Sequence, residues 1–218
     1  MTVTPPDAAT PVAVRTDSRA LKAERTRARL VDAAQKTFEE KGFLASSVSD
    51  IVKRAGVSHG LFYHYFGCRE DVMREIVGEA DARLWAPMDE VMLDRSSEAS
   101  PAERIRAAMR AFLAAYRDQV AIMRVVEEVS RYDEHVRAAR LERLRQYRDE
   151  MSDSIRRLQR RGLADRDLDP TIVAMVLGSI TMRFPEMWMV EDLVDCSFDD
   201  AVEHLSVIFI KTLGLKEP

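Results

Sequence analysis

Glycine and proline are scarce in this sequence, with eight of each in 218 residues. So few turn-forming residues argue against many short strands and favour long helices. Cysteine is scarcer still. Cys68 and Cys196 stand far apart, which excludes a disulfide framework and fits a reducing compartment. The four histidines, His59, His64, His135 and His204, form no metal-ligand spacing. Nucleophile elbows and phosphate-cradling glycine loops are also lacking, so neither an enzyme nor a bound cofactor or metal is expected. No stretch approaches the ~18 uninterrupted apolar residues of a membrane span. Met1–Ala20 has no apolar core and does not read as a signal peptide; a cytoplasmic protein is expected. Positive charge is lacking overall, since the formal net charge is −4, which at first sight speaks against a polyanionic partner.

The distribution of charge tells more than its sum. Residues 1–76 carry 12 Lys/Arg against 10 Asp/Glu, and residues 77–218 carry 21 against 27. The excess gathers at Arg15, Arg19, Lys22, Arg25, Arg27 and Arg29. One end can approach a polyanion while the rest repels it. A solvated tail and helix face is the blander alternative.

Three regions follow from the pattern: a flexible arm over 1–20, with Pro5, Pro6 and Pro11 among small residues, a small helical head over 21–68, and a larger helical body over 69–218. About nine helices are predicted, an all-α chain. In the head, Leu30, Ala33, Ala34, Thr37 and Phe38 form one stripe of a helix over 22–41, stopped at Gly42. Ser47 and Asp50 offer a capping box to a helix over 48–54. Ala55-Gly56-Val57 is a tight turn, and Ser58 caps a second short helix that ends near Tyr65. A helix, a three-residue turn with glycine and a second helix is the arrangement that lays a recognition helix in the major groove. On that second helix Phe62 and Phe66 share an inner face. His59, Gly60, Tyr63 and His64 point the other way, where a plain surface helix would carry Lys and Glu. Their hydroxyls and imidazoles suit phosphates and base edges, and Leu61 at the flank suits a thymine methyl. Alternatively Tyr63, His64 and Tyr65 pack against the next helix.

The run from Ser47 to Phe66, with Ala55-Gly56-Val57-Ser58 and then Gly60-x-x-Tyr63-x-Tyr65-Phe66, resembles the signature of TetR family regulators. Phe38-x-x-x-Gly42-Phe43 before it is similar to the end of that family's first helix. The resemblance covers about residues 22–75. It implies that Ser47 contacts a phosphate, that Ser58, His59, Gly60 and Leu61 face base edges, and that Tyr63, His64 and Tyr65 hold the backbone. It implies that Arg69, where the family usually has Lys, reaches a phosphate from the next helix. With Arg25 from the basic cluster, these are the candidate DNA-binding residues. Two departures stand out. Leu61 replaces a frequent Thr. Gly67-Cys68 replaces the usual cap, which costs that helix about 1 kcal/mol and places at its N-terminus a thiol that the helix end would acidify.

The body is read as helices over 69–94, 101–117, 119–130, 133–161, 170–189 and 198–213. Trp85, Met88, Met109, Phe112, Tyr116, Met123, Tyr147, Met151, Met175 and Trp188 supply adaptable and aromatic surface for a small hydrophobic ligand, or equally a plain core. Arg183 is expected to pair with Glu186 at i+3, with a ligand carboxylate or phosphate as the alternative. Pro185 is expected to kink its helix. The helix over 170–189 is apolar nearly all round, so it needs cover on two sides. The family resemblance places a homodimer interface on the last two helices, at Ile172, Val176, Ile180, Leu205, Ile208 and Phe209; a buried central helix in a monomer is the alternative. The resemblance further implies a ligand-responsive regulator. Its two recognition helices sit about 34–36 Å apart on a palindromic operator, and a ligand shifts that spacing through the helix over 69–94. The default is a repressor released by ligand. The rival is a helical ligand- or partner-binding protein whose head no longer reads DNA.

Overall fold

The helix signals become nine α-helices, with no strand, among the described residues of a computed structural model. Those residues are 13–93 and 98–215. The helices are α1 (Ala13–Lys41), α2 (Val48–Ala55), α3 (His59–Tyr65), α4 (Arg69–Leu93), α5 (Pro101–Asp118), α6 (Val120–Ser130), α7 (Glu134–Arg160), α8 (Pro170–Pro185) and α9 (Phe198–Leu213).

Helix α1 starts nine residues earlier than its apolar stripe predicts. The stripe that fixes it to the core begins at Leu30. Upstream, no glycine or proline follows Pro11, and Ala, Arg, Leu, Lys and Glu are strong helix formers. Residues 13–20 of the expected arm are therefore helical. Residues 1–12 and the side chains of Arg15 and Arg19 lie outside the described residues.

The predicted caps hold. Ser47 and Asp50 form a complete capping box on α2, as Ser100 and Glu103 do on α5. Asp169 caps α8 with Pro170 in its first turn. Gly56 ends α2 with φ +62°, a left-handed conformation that a β-carbon resists. Two helices behave differently at proline. Pro87 sits inside α4 and removes one backbone donor without ending the helix. Pro185 closes α8, and a π turn over Glu186–Val190 continues the chain.

Apolar side chains gather into two clusters. The head cluster joins Leu30, Phe38, Phe43, Ile51 and Phe62 to Val72, Met73, Ile76, Val77 and Ala80 of α4, and to Ile122, Val125, Val126 and Val129 of α6. The body cluster begins at Leu84 and Trp85 of the same α4 and continues through α5, α7, α8 and α9. Helix α4 thus passes from one cluster to the other between Ala80 and Leu84. In the body α5 packs on α4 and α9, and α7 packs on α8. Gly178 makes the last contact possible: a β-carbon there would stand 2.8 Å from Tyr147 Cε1. This close approach lies within the protomer.

Candidate nucleic-acid interface and ligand cleft

Helix α3 is set by its two ends and its inner face. Ser58 Oγ accepts from Leu61 N at 3.2 Å. Phe62 is fully buried, and its ring stands 5.7 Å from that of Phe66. With that face fixed, helical geometry turns the opposite one to solvent. His59, Gly60, Tyr63 and His64 are all exposed, Tyr63 by 56%. Leu61 is half-buried. Nothing inside the fold demands glycine at 60, because a β-carbon there would meet only Ser58 Oγ, at 3.9 Å. Helix α3 carries no acidic side chain. The alternative of packing inward holds for Tyr65 alone, which is half-buried against the head cluster.

Exposed basic residues flank this surface in sequence. Lys22, Arg25 and Arg29 share one side of α1 at i, i+3 and i+7, all exposed. Several other head cations are committed. Arg27 is paired with Glu75 at 2.5 Å and lies over the Phe66 ring; Lys41 is paired with Asp50 at 2.6 Å and Arg54 with Glu40. Ser47 is exposed, but its hydroxyl already donates to Asp50 at 2.6 Å.

Arg69 departs from its expected role. Its guanidinium donates to the Phe43 carbonyl at 2.9 Å and to the Ser46 carbonyl, and it lies 4.4 Å from the Phe43 ring centroid. It clamps the α1–α2 turn rather than pointing at a phosphate. Glu128 of α6 holds the same turn from the other side, accepting from Phe43 N at 3.3 Å and Leu44 N at 3.4 Å. Cys68 also departs. Asp71 accepts from Gly67 N and Cys68 N at 2.9 and 3.1 Å, supplying part of the cap that cysteine lacks. The thiol is not acidified; burial pushes it up.

In the body, most of the expected ligand-binding residues are core. Trp85, Met88, Met109, Phe112, Tyr116, Met123 and Tyr147 are buried in one cluster, with Trp85 about 5.1 Å from both the Phe112 and Tyr147 rings. Met151 is partly buried against them. Trp188 stacks between Phe184 and Phe198 at the π turn. Met175 lies on the surface. Arg183 takes the expected partner, 2.7 Å from Glu186, and adds Glu191, so both its arms are occupied.

The open space lies elsewhere. A cleft of about 200 Å³ between α4 and α7 is lined by Asp81, Trp85, Ser130, Arg137, Arg140, Leu141, Arg143, Leu144 and Met182. A shallower one adjoins it, sharing Asp81, Trp85 and Arg143. Only Trp85 was foreseen. A basic repeat in α7, at 137, 140 and 143, was the available signal, and what faces it across the cleft is set by packing that periodicity does not reveal.

The expected dimer surface divides. Ile172 and Val176 of α8 are exposed by 65% and 51%, and Ile208 of α9 by 42%. With Met175 they leave a broad apolar face uncovered. Leu205 and Phe209 belong instead to the protomer's own core, and Ile180 packs partly against it, because α9 turns that side towards α5. Among the described residues no cluster of His, Cys, Asp or Glu could hold a metal, and no helix is long and apolar enough to cross a membrane.

This geometry agrees with known proteins. Residues 30–76 match the family model described as bacterial regulatory proteins, tetR family. Residues 98–188 match that of a tetracyclin repressor-like C-terminal domain. The chain is 33% identical over 115 residues to the HTH-type transcriptional regulator BetI of Rhizobium meliloti, a match over 53% of this chain and 54% of that protein. The chain thus spans about half the length of the curated relatives it matches. Among solved structures, the fatty acid degradation regulator FadR of Bacillus halodurans superposes with a TM-score of 0.69 at 18% identity, over 88% of this chain and 97% of that one. SmeT in complex with triclosan gives 0.71 at 20% identity, over 88% and 93%. At these identities the likeness is one of fold.

Proposed function

Because this chain belongs to the TetR family of bacterial regulatory proteins, we propose that it is a homodimeric, ligand-responsive DNA-binding regulator, a repressor released from a palindromic operator by a small hydrophobic molecule. One observation carries this reading: α3 is seated by Phe62 and Phe66 so that His59, Gly60, Tyr63 and His64 stand bare to solvent. The Tyr63 hydroxyl and the His64 imidazole anchor phosphates. His59 and Leu61 read base edges, and Gly60 lets the backbone approach. Ser47 and Ser58 lie at the exposed ends of the two short helices, and Arg25 adds long-range attraction. Arg69 acts through the turn it holds.

The apolar face of Ile172, Met175, Val176 and Ile208 is the surface on which a second copy sits. That a related fold carries triclosan supports a small apolar effector. A site of action on chromosomal DNA makes the cytoplasm its compartment. A vestigial head is the second reading, and the exposed Tyr/His set speaks against it.

Duplexes selected from a random pool by the full chain, then assayed by gel shift, test the proposal. Tyr63→Phe combined with His64→Ala is expected to weaken binding by roughly tenfold or more, since a hydrogen bond to a charged group is worth about 1.5–3 kcal/mol, with helicity unchanged. Equal affinity of the double variant and the parent would sink the assignment of α3.

A further inference from the structure

Helix α3 carries no permanent charge. Its residues, His59–Tyr65, include no Lys, Arg, Asp or Glu. The side chains on it that can become cationic are His59 and His64, and both are exposed. Among the described residues neither imidazole has a hydrogen bond or an ion pair. His64 makes one ring contact, edge-on to Tyr65 at 5.1 Å. Permanent positive charge without a carboxylate partner sits on other helices of the head: Lys22, Arg25 and Arg29 on α1, and Lys53 in the last turn of α2.

The acids on the elements around α3 are already paired. Asp50, the one acid of α2, is held by Lys41, and Glu40 at the end of α1 by Arg54. At the start of α4, Glu70 pairs with Arg69 and Asp71 with Arg74. Glu75 pairs with Arg27, which lies over the Phe66 ring beside α3.

Duplex DNA brings an anion to this surface. A phosphate against an imidazole favours the ring that carries both protons, and the charged ring gives a stronger hydrogen bond than the neutral one. A base edge rich in acceptors favours the same form, because both nitrogens of the charged ring donate. Histidine is the residue type that changes charge between about pH 5 and pH 8. The complex then carries more protons than the free chain, and acid favours the state that carries more.

We propose that α3 is a proton-gated reader: His59 and His64 take up protons from solvent as they meet base edges and phosphates, so the chain grips its operator more tightly as pH falls from about 8 to about 6. The proposal rests on the DNA-binding reading above and adds a control to that same surface. A neutral imidazole still donates one hydrogen bond, so binding weakens at high pH without vanishing.

The test uses the full chain and the selected duplex at fixed ionic strength, read by fluorescence anisotropy across that range. Affinity is expected to rise by about tenfold or more from pH 8 to pH 6. His64 of each protomer gains a charge against a phosphate, so the dependence of log affinity on log salt is expected to steepen by roughly one to two units in acid. Calorimetry in two buffers of different ionisation heat is expected to show proton uptake on binding near pH 7. His59→Gln with His64→Gln keeps a donor at each position but cannot charge, and its affinity is expected to vary by no more than about twofold over the same range. His135→Gln, exposed on α7, is expected to respond to pH like the parent. His204 lies one turn from Ile208 on α9 and stays in every variant, so a pH effect routed through that face would persist in the double variant.

A flat or inverted pH response, an unchanged salt dependence, no proton uptake, or a double variant that keeps the parent's response would each overturn the proposal. Salt dependence and proton uptake are read on the parent chain, so they decide the matter even if the double variant folds poorly. A flat response with the duplex still bound defeats this inference alone. A chain that binds no duplex at any pH defeats the DNA-binding reading with it.

Discussion

Arg69 spends its hydrogen-bonding capacity on the carbonyls of Phe43 and Ser46, and its flat face on the Phe43 ring. Arg69→Ala strands those carbonyls beside the turn that positions α2. A loss of about 1–3 kcal/mol is expected, the cost of unpaired polar groups at a partly buried site. Chemical denaturation of the head should read it, and an unchanged midpoint would show that the clamp is idle. The family resemblance placed Arg69 on DNA; its actual partners lie more than twenty residues away and have no local signature. The exposed set was more legible. His59, Tyr63 and His64 follow from the position of Phe62 by geometry alone, so placing one buried phenylalanine places them all. The cleft beside Asp81 was not legible, because residues of four helices meet to line it.

Short helices hold only with good ends, and α2 and α3 have eight and seven residues. Caps are local chemistry, so Ser47, Asp50, Ser58 and Gly56 could be read directly. Asp50 carries a prediction. A hydrogen bond from Lys41, followed by one from Ser47, holds its pKa down at about 2. A carboxyl whose pKa is lower folded than unfolded stabilises the fold above the ordinary carboxylate range and loses that contribution as pH falls through the folded value. The contribution of Asp50 is therefore expected to be complete above about pH 4 and to fade towards pH 2. Carbon-detected NMR titration of its carboxyl should give a midpoint near the lower figure; a midpoint near 4 would mean that the Lys41 contact does not persist in solution. Less legible was the start of α1, where no capping residue marks the boundary. The turn after Pro185 was foreseen as a kink, but not as a π turn.

For the whole molecule, the exposed apolar face on α8 and α9 is where a monomer would be most costly to leave in water. Ile172→Asp with Val176→Asp alters two side chains that make little use of the protomer's own core. Light scattering is expected to find the double variant at half the parent's mass with its helicity retained; an intact dimer would move the contact elsewhere. Ile180 is a poorer choice, since a charge there also disturbs the core. The resemblance put the interface on the last two helices without fixing which side of each the protomer keeps, and so Leu205 and Phe209 of α9 were assigned outward. The seam in α4 bears on the same scale. Val72 and Leu84 lie twelve residues apart on one rod, about 18 Å at the usual helical rise, the first embedded under the head and the second in the body. The Asp81 cleft opens at the crossing, near the fulcrum of that rod. A wedge set there has leverage on both arms, and a tilt of about 5° over about 18 Å carries the far tip about 1.6 Å, enough to put a hydrogen bond to DNA out of reach.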